Sequence, residues 1–179
     1  FDHAYPLRVL VVAIVLVACR DRLVRSFVRP SLSAFGIGVV AYVAWIAFGR
    51  ASGSFHGAPV ELSSMGSVLA TAWIAFRIVG AVVTVPLAEE LAFRGYVSDR
   101  LLGSPDAIPW RREVLAFAVS SVAFGLLHER VVAAVVAGGL CHLAYRRRRC
   151  VSDAVTAHAV TNALVALHVS ATGDWSWWR

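Results

Sequence analysis

The chain has 179 residues, of which 59% are apolar and only 16% charged, with a mean hydropathy of +0.70. Average globular chains run at roughly 45–50% apolar and about 25% charged, so this one has too little polar surface to cover a water-soluble globule. A soluble enzyme, a disordered tail and a secreted disulfide scaffold are excluded, leaving an integral membrane protein of one domain. The net charge is +6, and all 17 basic residues are arginine. They sit at the ends of apolar runs, which suits anionic lipid headgroups and topology rather than a nucleic-acid footprint, so no nucleic-acid partner is expected.

Six apolar runs follow one another: Leu7–Cys19, Leu32–Phe48, Gly66–Leu87, Val114–Leu127, Val131–Tyr145 and Val151–Val169. A spanning helix needs about 20 residues. Gly66–Leu87 and Val151–Val169 meet that length, Leu32–Phe48 is marginal, and Leu7–Cys19 is short. The chain begins at Phe1 without a methionine, which reads as a fragment or processed form. The runs are long and lack period-two alternation, so strands are a poor reading. The expected fold is all-α: a polytopic transmembrane helical bundle with about six to seven membrane helices. Residues 1–179 form a single membrane domain, with a core at about 66–170 and additional helices in 1–65.

Arginines set the orientation. Arg20, Arg22, Arg25 and Arg29 fill the first connection, Arg100, Arg111 and Arg112 the third, and Arg146 to Arg149 the last; the intervening connections carry Arg50 and Arg130. This alternation puts the arginine-rich connections in the cytoplasm and Trp175, Trp177 and Trp178 in an aromatic belt outside. Cys19 follows a Leu16-Val17-Ala18 stretch that resembles a lipoprotein cleavage site, but the arginines behind it resist export. The three cysteines form no metal-binding or disulfide framework.

Ionisable residues at membrane depth mark function by default, and three groups qualify. In Glu89-Glu90-Leu91-Ala92-Phe93-Arg94, Glu90 and Arg94 are an i,i+4 pair with the acid first. Glu89 lies about 140° from Arg94 around the helix. One carboxylate is thus structural and the other free to work; the alternative is a helix start with acids favoured by the dipole. Phe124 and His128 share a face, and the runs on either side of His128-Glu129-Arg130 are short. They form either a hairpin with a polar apex lining a cavity or a simple external loop. His158 and Asn162, again i,i+4, put two polar groups on one face of the last helix, as interhelical hydrogen bonds or as chemistry. Elsewhere, His142 and His168 read as packing, Ser152-Asp153 as an N-cap, and His3 and His56 suggest nothing. Arg77 must pair or snorkel, with no partner evident. Cys141 and His142 are adjacent and point to different faces, a poor nucleophile–base pair.

Together, Glu89-Glu90-x-x-x-Arg94, Phe124-x-x-x-His128 and His158-x-x-x-Asn162 resemble the CPBP family of intramembrane glutamic proteases, which includes the Rce1-like CAAX-prenyl endopeptidases and bacterial Abi proteins. The stretch Val151 to Trp178 is also similar to a branch found beside exosortase (PEP-CTERM) sorting systems. The resemblance implies an intramembrane endopeptidase in the bacterial inner membrane acting on a membrane-anchored protein or peptide, in contact with membrane lipid and without cofactor or metal. Glu89 would be the general base and His128 would help activate the water. His158 and Asn162 would donate to the oxyanion, with Glu90 and Arg94 as the supporting pair and Phe124 as cavity wall. Two other readings stay open: a zinc metalloprotease binding metal through Glu89, His128 and His158, and a non-catalytic membrane scaffold or immunity protein. The simple topology places Glu89 and His128 near opposite faces, whereas the chemistry needs them together; a bend at Pro86 would reconcile the two.

Overall fold

The computed structural model describes residues 2–21, 27–49, 60–103 and 108–178. Among these the chain is all-α, with seven helical elements: α1 (Tyr5–Ala18), α2 (Leu32–Gly49), α3 (Val60–Ser64), α4 (Ser67–Leu102), α5 (Trp110–Leu126), α6 (Val131–Arg148) and α7 (Val151–Thr172), followed by a 3₁₀ turn at Trp175–Trp178. Each apolar run of the sequence is helical. Three helices, α2, α4 and α7, are long and apolar enough to cross a membrane, and α1 is a shorter apolar helix. Thus the helices of the six runs form as expected, but among the described residues three, not six to seven, are long and apolar enough to span on their own. The reason lies in α5 and α6: α5 opens on Arg111, Arg112 and Glu113, and α6 closes on Arg146, Arg147 and Arg148.

Small residues fill the interior, and large apolar ones face outward. Ala34, Ala41, Ala116, Ala134, Ala154 and Ala157 are fully buried, while Leu32, Ile14, Val68 and Leu167 are 90%, 66%, 80% and 65% exposed. A water-soluble bundle would reverse this, whereas lipid solvates leucine and valine and helix association rests on close backbone packing. The protein is an all-α membrane protein. α7 is the central element, packed on α2, α6 and α4, and α5 and α6 form an antiparallel hairpin. Gly38 permits the α2–α7 contact: a Cβ there would lie 2.5 Å from the Ala157 carbonyl oxygen.

α4 is one continuous helical run of 36 residues, about 54 Å at helical rise. Two π-helical turns interrupt it, Gly80–Thr84 and Leu91–Ser98, flanking the short α-helical segment Val85–Glu90. Pro86 lies in the first turn of that segment. The helical run continues through it, directly after the first π turn.

The arginine-rich connections gather at one end of the bundle. Arg148 donates to the Arg29 carbonyl and pairs with Asp153, Arg149 reaches Asp99 and the Gly103 carbonyl, and Arg146 pairs with Glu113. Arg130 is at the other end, bonded to the Gly49 and Ser176 carbonyls. This grouping matches the alternation in the sequence. Arg22, Arg25, Arg50 and His56 lie outside the described residues. Cys150, not Ser152 or Asp153, occupies the α7 cap position. Ser152 and Asp153 instead accept bonds from the backbone N–H groups of Val28 and Ser31, at 3.0 and 2.7 Å, tying the first connection to α7.

Candidate active site

Every ionisable or polar group singled out as working chemistry faces a single cavity. Glu89 from α4, His128 from the α5–α6 apex, and His158 and Asn162 from α7 line a space of about 1030 Å³, with Phe124 in its wall. The apex therefore lines a protein cavity and is not a simple external loop, and Glu89 and His128 line the same cavity despite their separate positions in the simple topology.

Glu90 faces the other way, as the helical angle requires. It is fully buried, with Arg94 Nη1 3.0 Å from its carboxylate oxygens. Arg94, also fully buried, donates a second bond to the Gly138 carbonyl of α6 at 2.5 Å and lies 5.0 Å above the Phe124 ring. Thus the pair joins α4, α5 and α6 behind the cavity. Glu89 has no such counter-ion at hydrogen-bonding distance: its Oε2 is buried without a hydrogen-bond partner among the described residues.

The two imidazoles are held in defined tautomers. His128 Nδ1 lies 2.9 Å from the Phe124 carbonyl oxygen, its ring stacked on Phe124 at 4.6 Å and edge-on to Trp45. A carbonyl can only accept, so Nδ1 carries the proton and Nε2 presents a lone pair. His158 Nδ1 lies 2.9 Å from Glu90 Oε1. The carboxylate beside Arg94 accepts, so here too Nε2 is the open nitrogen. Neutral His158 therefore offers an acceptor to the cavity, and it becomes a donor only as the imidazolium.

Asn162 donates through Nδ2 to the Ala81 carbonyl at 2.7 Å. Ala81 lies in the first π turn, where the wider ring pattern leaves a backbone carbonyl for a side chain. One amide hydrogen of Asn162 is thus committed and the other is available. Thr161, beside it, shares its hydroxyl proton between the Gly38 carbonyl of α2 and the Ala157 carbonyl of its own helix.

The zinc set inferred from sequence, Glu89, His128 and His158, is not the one whose donor atoms converge. Glu90, Cys141 and His158 each offer a donor atom within 4.8 Å of the other two.

Several residues of the cavity were not singled out by sequence. Trp45, Trp73 and Tyr5 line it, beside Arg77 and Trp175, Trp177 and Trp178, which the sequence marked for other reasons. The tryptophans after α7 are therefore not an outward belt: Trp177 is buried against Val165, Val169 and residues of α2. Arg130 donates to the Ser176 carbonyl at 3.0 Å beneath the Trp177 ring, and Arg77 donates to the Trp178 carbonyl with its guanidinium over Tyr5. This is the partner that Arg77 lacked in the sequence. His142 is packed as expected, with Nδ1 3.2 and 3.1 Å from Ser98 and Ser120 Oγ, and His168 bonds Tyr42.

A family model described as type II CAAX prenyl endopeptidase, Rce1-like, matches residues 71–164, a stretch that contains Glu89, Glu90, Arg94, Phe124, His128, His158 and Asn162. The chain belongs to the Rce1-like family. Membership places it among membrane-embedded proteases of the CAAX type. No curated protein and no solved structure matches it. The match covers α4 from its second turn through most of α7, and so supplies Glu89, Phe124, His128, His158 and Asn162 to the cavity. α1 and α2 lie outside the matched range, yet they add Tyr5, Arg8 and Trp45 to its walls.

Proposed function

We propose that the protein is an intramembrane endopeptidase that hydrolyses a peptide bond of a membrane-anchored protein or peptide by a glutamate-activated water. The observation carrying this reading is the buried, unpartnered Glu89 carboxylate oxygen in a cavity shared with His128, His158 and Asn162. Glu89 takes the proton of a water that also bonds His128 Nε2, and the resulting hydroxide attacks the substrate carbonyl. The oxyanion accepts from the free Asn162 amide hydrogen and from His158 as the imidazolium. Glu90 orients His158 by accepting from its Nδ1–H, a carboxylate–imidazole pairing that sets the proton's location, while the imidazolium charge is offset first by the Glu89 carboxylate and then by the oxyanion. Glu89 then returns its proton to the leaving amine; because water is the nucleophile, no acyl-enzyme intermediate forms. Residues 66–170 would be the catalytic core and 1–65 additional helices of the same membrane domain. The arginine-rich end faces the cytoplasm of a bacterial inner membrane, and an exosortase-type sorting system is the setting suggested by Val151 to Trp178.

The test is cleavage of membrane-anchored peptides by the purified protein in detergent. The panel holds prenylated C-terminal tails, leader peptides and sorting-signal helices, and wild type is compared with Glu89→Gln, each with and without EDTA. Cleavage that survives EDTA and disappears in folded Glu89→Gln is the expected result. Loss on chelation with recovery on adding zinc would overturn the glutamic mechanism, and full activity in Glu89→Gln would overturn the role of this residue.

A further inference from the structure

Cys141 is an unexpected group to find in this cavity. It lies on α6, is 2% exposed, and lines the same floor as His158. Its sulfur, an imidazole nitrogen of His158 and a carboxylate oxygen of Glu90 fall within 4.8 Å of one another, and His158 Nδ1 to Glu90 Oε1 is 2.9 Å. A three-coordinate sulfur–nitrogen–oxygen set with metal bonds of about 2.0–2.3 Å spaces its donors by about 3.5 Å, within the range seen here. We propose that Cys141, His158 and Glu90 form a binding site for a soft monovalent metal cation of the copper(I) class, and that its occupancy shuts the peptidase centre by taking His158.

Charge selects the ion. Glu90 and Arg94 already cancel in a fully buried site. A monovalent cation that replaces the Cys141 thiol proton leaves that sum unchanged: the proton departs to solvent and the metal–thiolate bond takes its place. His158 binds through its unprotonated nitrogen, by a tautomer shift if needed, which moves no net charge. A divalent ion in the same position would leave an extra positive charge buried beside the Arg94 guanidinium, where desolvation makes it costly. Ligand softness points the same way, since thiolate with imidazole favours copper(I) over hard cations. Metal binding stands on this geometry alone; only the shut-off rests on the protease reading.

The experiment uses silver(I), a redox-inert probe of the same class, on the full chain carrying Cys19→Ser and Cys150→Ser, so that Cys141 is the remaining thiol. After gel filtration in detergent, metal per chain is measured by mass spectrometry, and peptide cleavage is read on the same sample relative to its metal-free control. The expected result is one silver ion retained per chain with cleavage lost. Adding Cys141→Ser weakens silver retention by about 100-fold or more, the upper scale on which even outer partners of a metal act, and silver no longer lowers cleavage. If the serine variant loses its helical melt, Cys141→Ala replaces it. Equal retention in the folded Cys141 variant, no retention in the parent, or zinc held as tightly as silver would each overturn the site. Silver retained by a chain that cleaves nothing even without metal upholds the site and overturns the protease reading instead.

Discussion

Glu89 and Glu90 are neighbours in sequence and have opposite surroundings. One helical step sends Glu90 into a fully buried pair with Arg94 and leaves Glu89 facing the cavity with an unpartnered oxygen. Their substitution should therefore separate cleanly. Glu89→Gln is expected to lower the cleavage rate by about 100- to 10,000-fold, the usual reach of a positioned general base, while the melting temperature in detergent stays near wild type. Glu90→Gln strands Arg94 without its counter-charge and is expected to cost about 3–5 kcal/mol of stability, seen as a lowered melting temperature before any kinetic measurement. Equal melting losses in the two variants would show that the assignment is wrong. Asn162→Ala tests the oxyanion role: the turnover number should fall about 100-fold or more with little change in substrate affinity. The residue scale was largely legible in the sequence, because i,i+4 spacing alone puts Glu90 with Arg94, Phe124 with His128 and His158 with Asn162. Cys141 was not legible, since its adjacency to His142 directed attention to the wrong partner; its partners come from α4 and α7.

At the scale of elements, the positions of these groups depend on close helix contacts and on two π turns in α4. The contact between α5 and α6 runs through Gly125, where an added Cβ would meet Val135 Cγ2 at 2.3 Å and the Val131 carbonyl oxygen at 3.1 Å. Gly125→Leu should therefore splay the hairpin that carries His128, costing about 1–3 kcal/mol as overpacking does. Gly36→Ala on α2, with nothing within 4 Å of its Cβ position, should leave the melting temperature unchanged or slightly raised. A chain in which the two substitutions behave alike would contradict the packing described. Hydropathy marked every long helix, but neither the short α3 nor the π turns. A π turn is set by partners such as the Asn162 amide on the Ala81 carbonyl and Ser98 Oγ on the Phe93 carbonyl, and local sequence carries no record of the first of these.

For the whole molecule, the arginines predict a direction. In a cysteine-free background, Arg147→Cys should be inaccessible to a membrane-impermeant maleimide in intact cells and Thr172→Cys accessible, because they lie at opposite ends of the bundle; the reverse pattern would invert the orientation argued from charge. The roof over the cavity could not be read in the same way. Tryptophans after a span suggest an interfacial belt, and the bonds from Arg130 and Arg77 to the Ser176 and Trp178 carbonyls, with the packing of Trp177 on α2 and α7, turn them inward. That roof has a practical consequence. Of the six tryptophans, five line the cavity and only Trp110, 69% exposed, stands apart from it. The intrinsic ultraviolet emission of the protein is thus an almost undiluted readout of its own reaction chamber. A peptide that enters should quench or shift that emission without any attached dye, in the Glu89→Gln variant as well as in wild type, giving an equilibrium titration of substrate on an enzyme that cannot consume it.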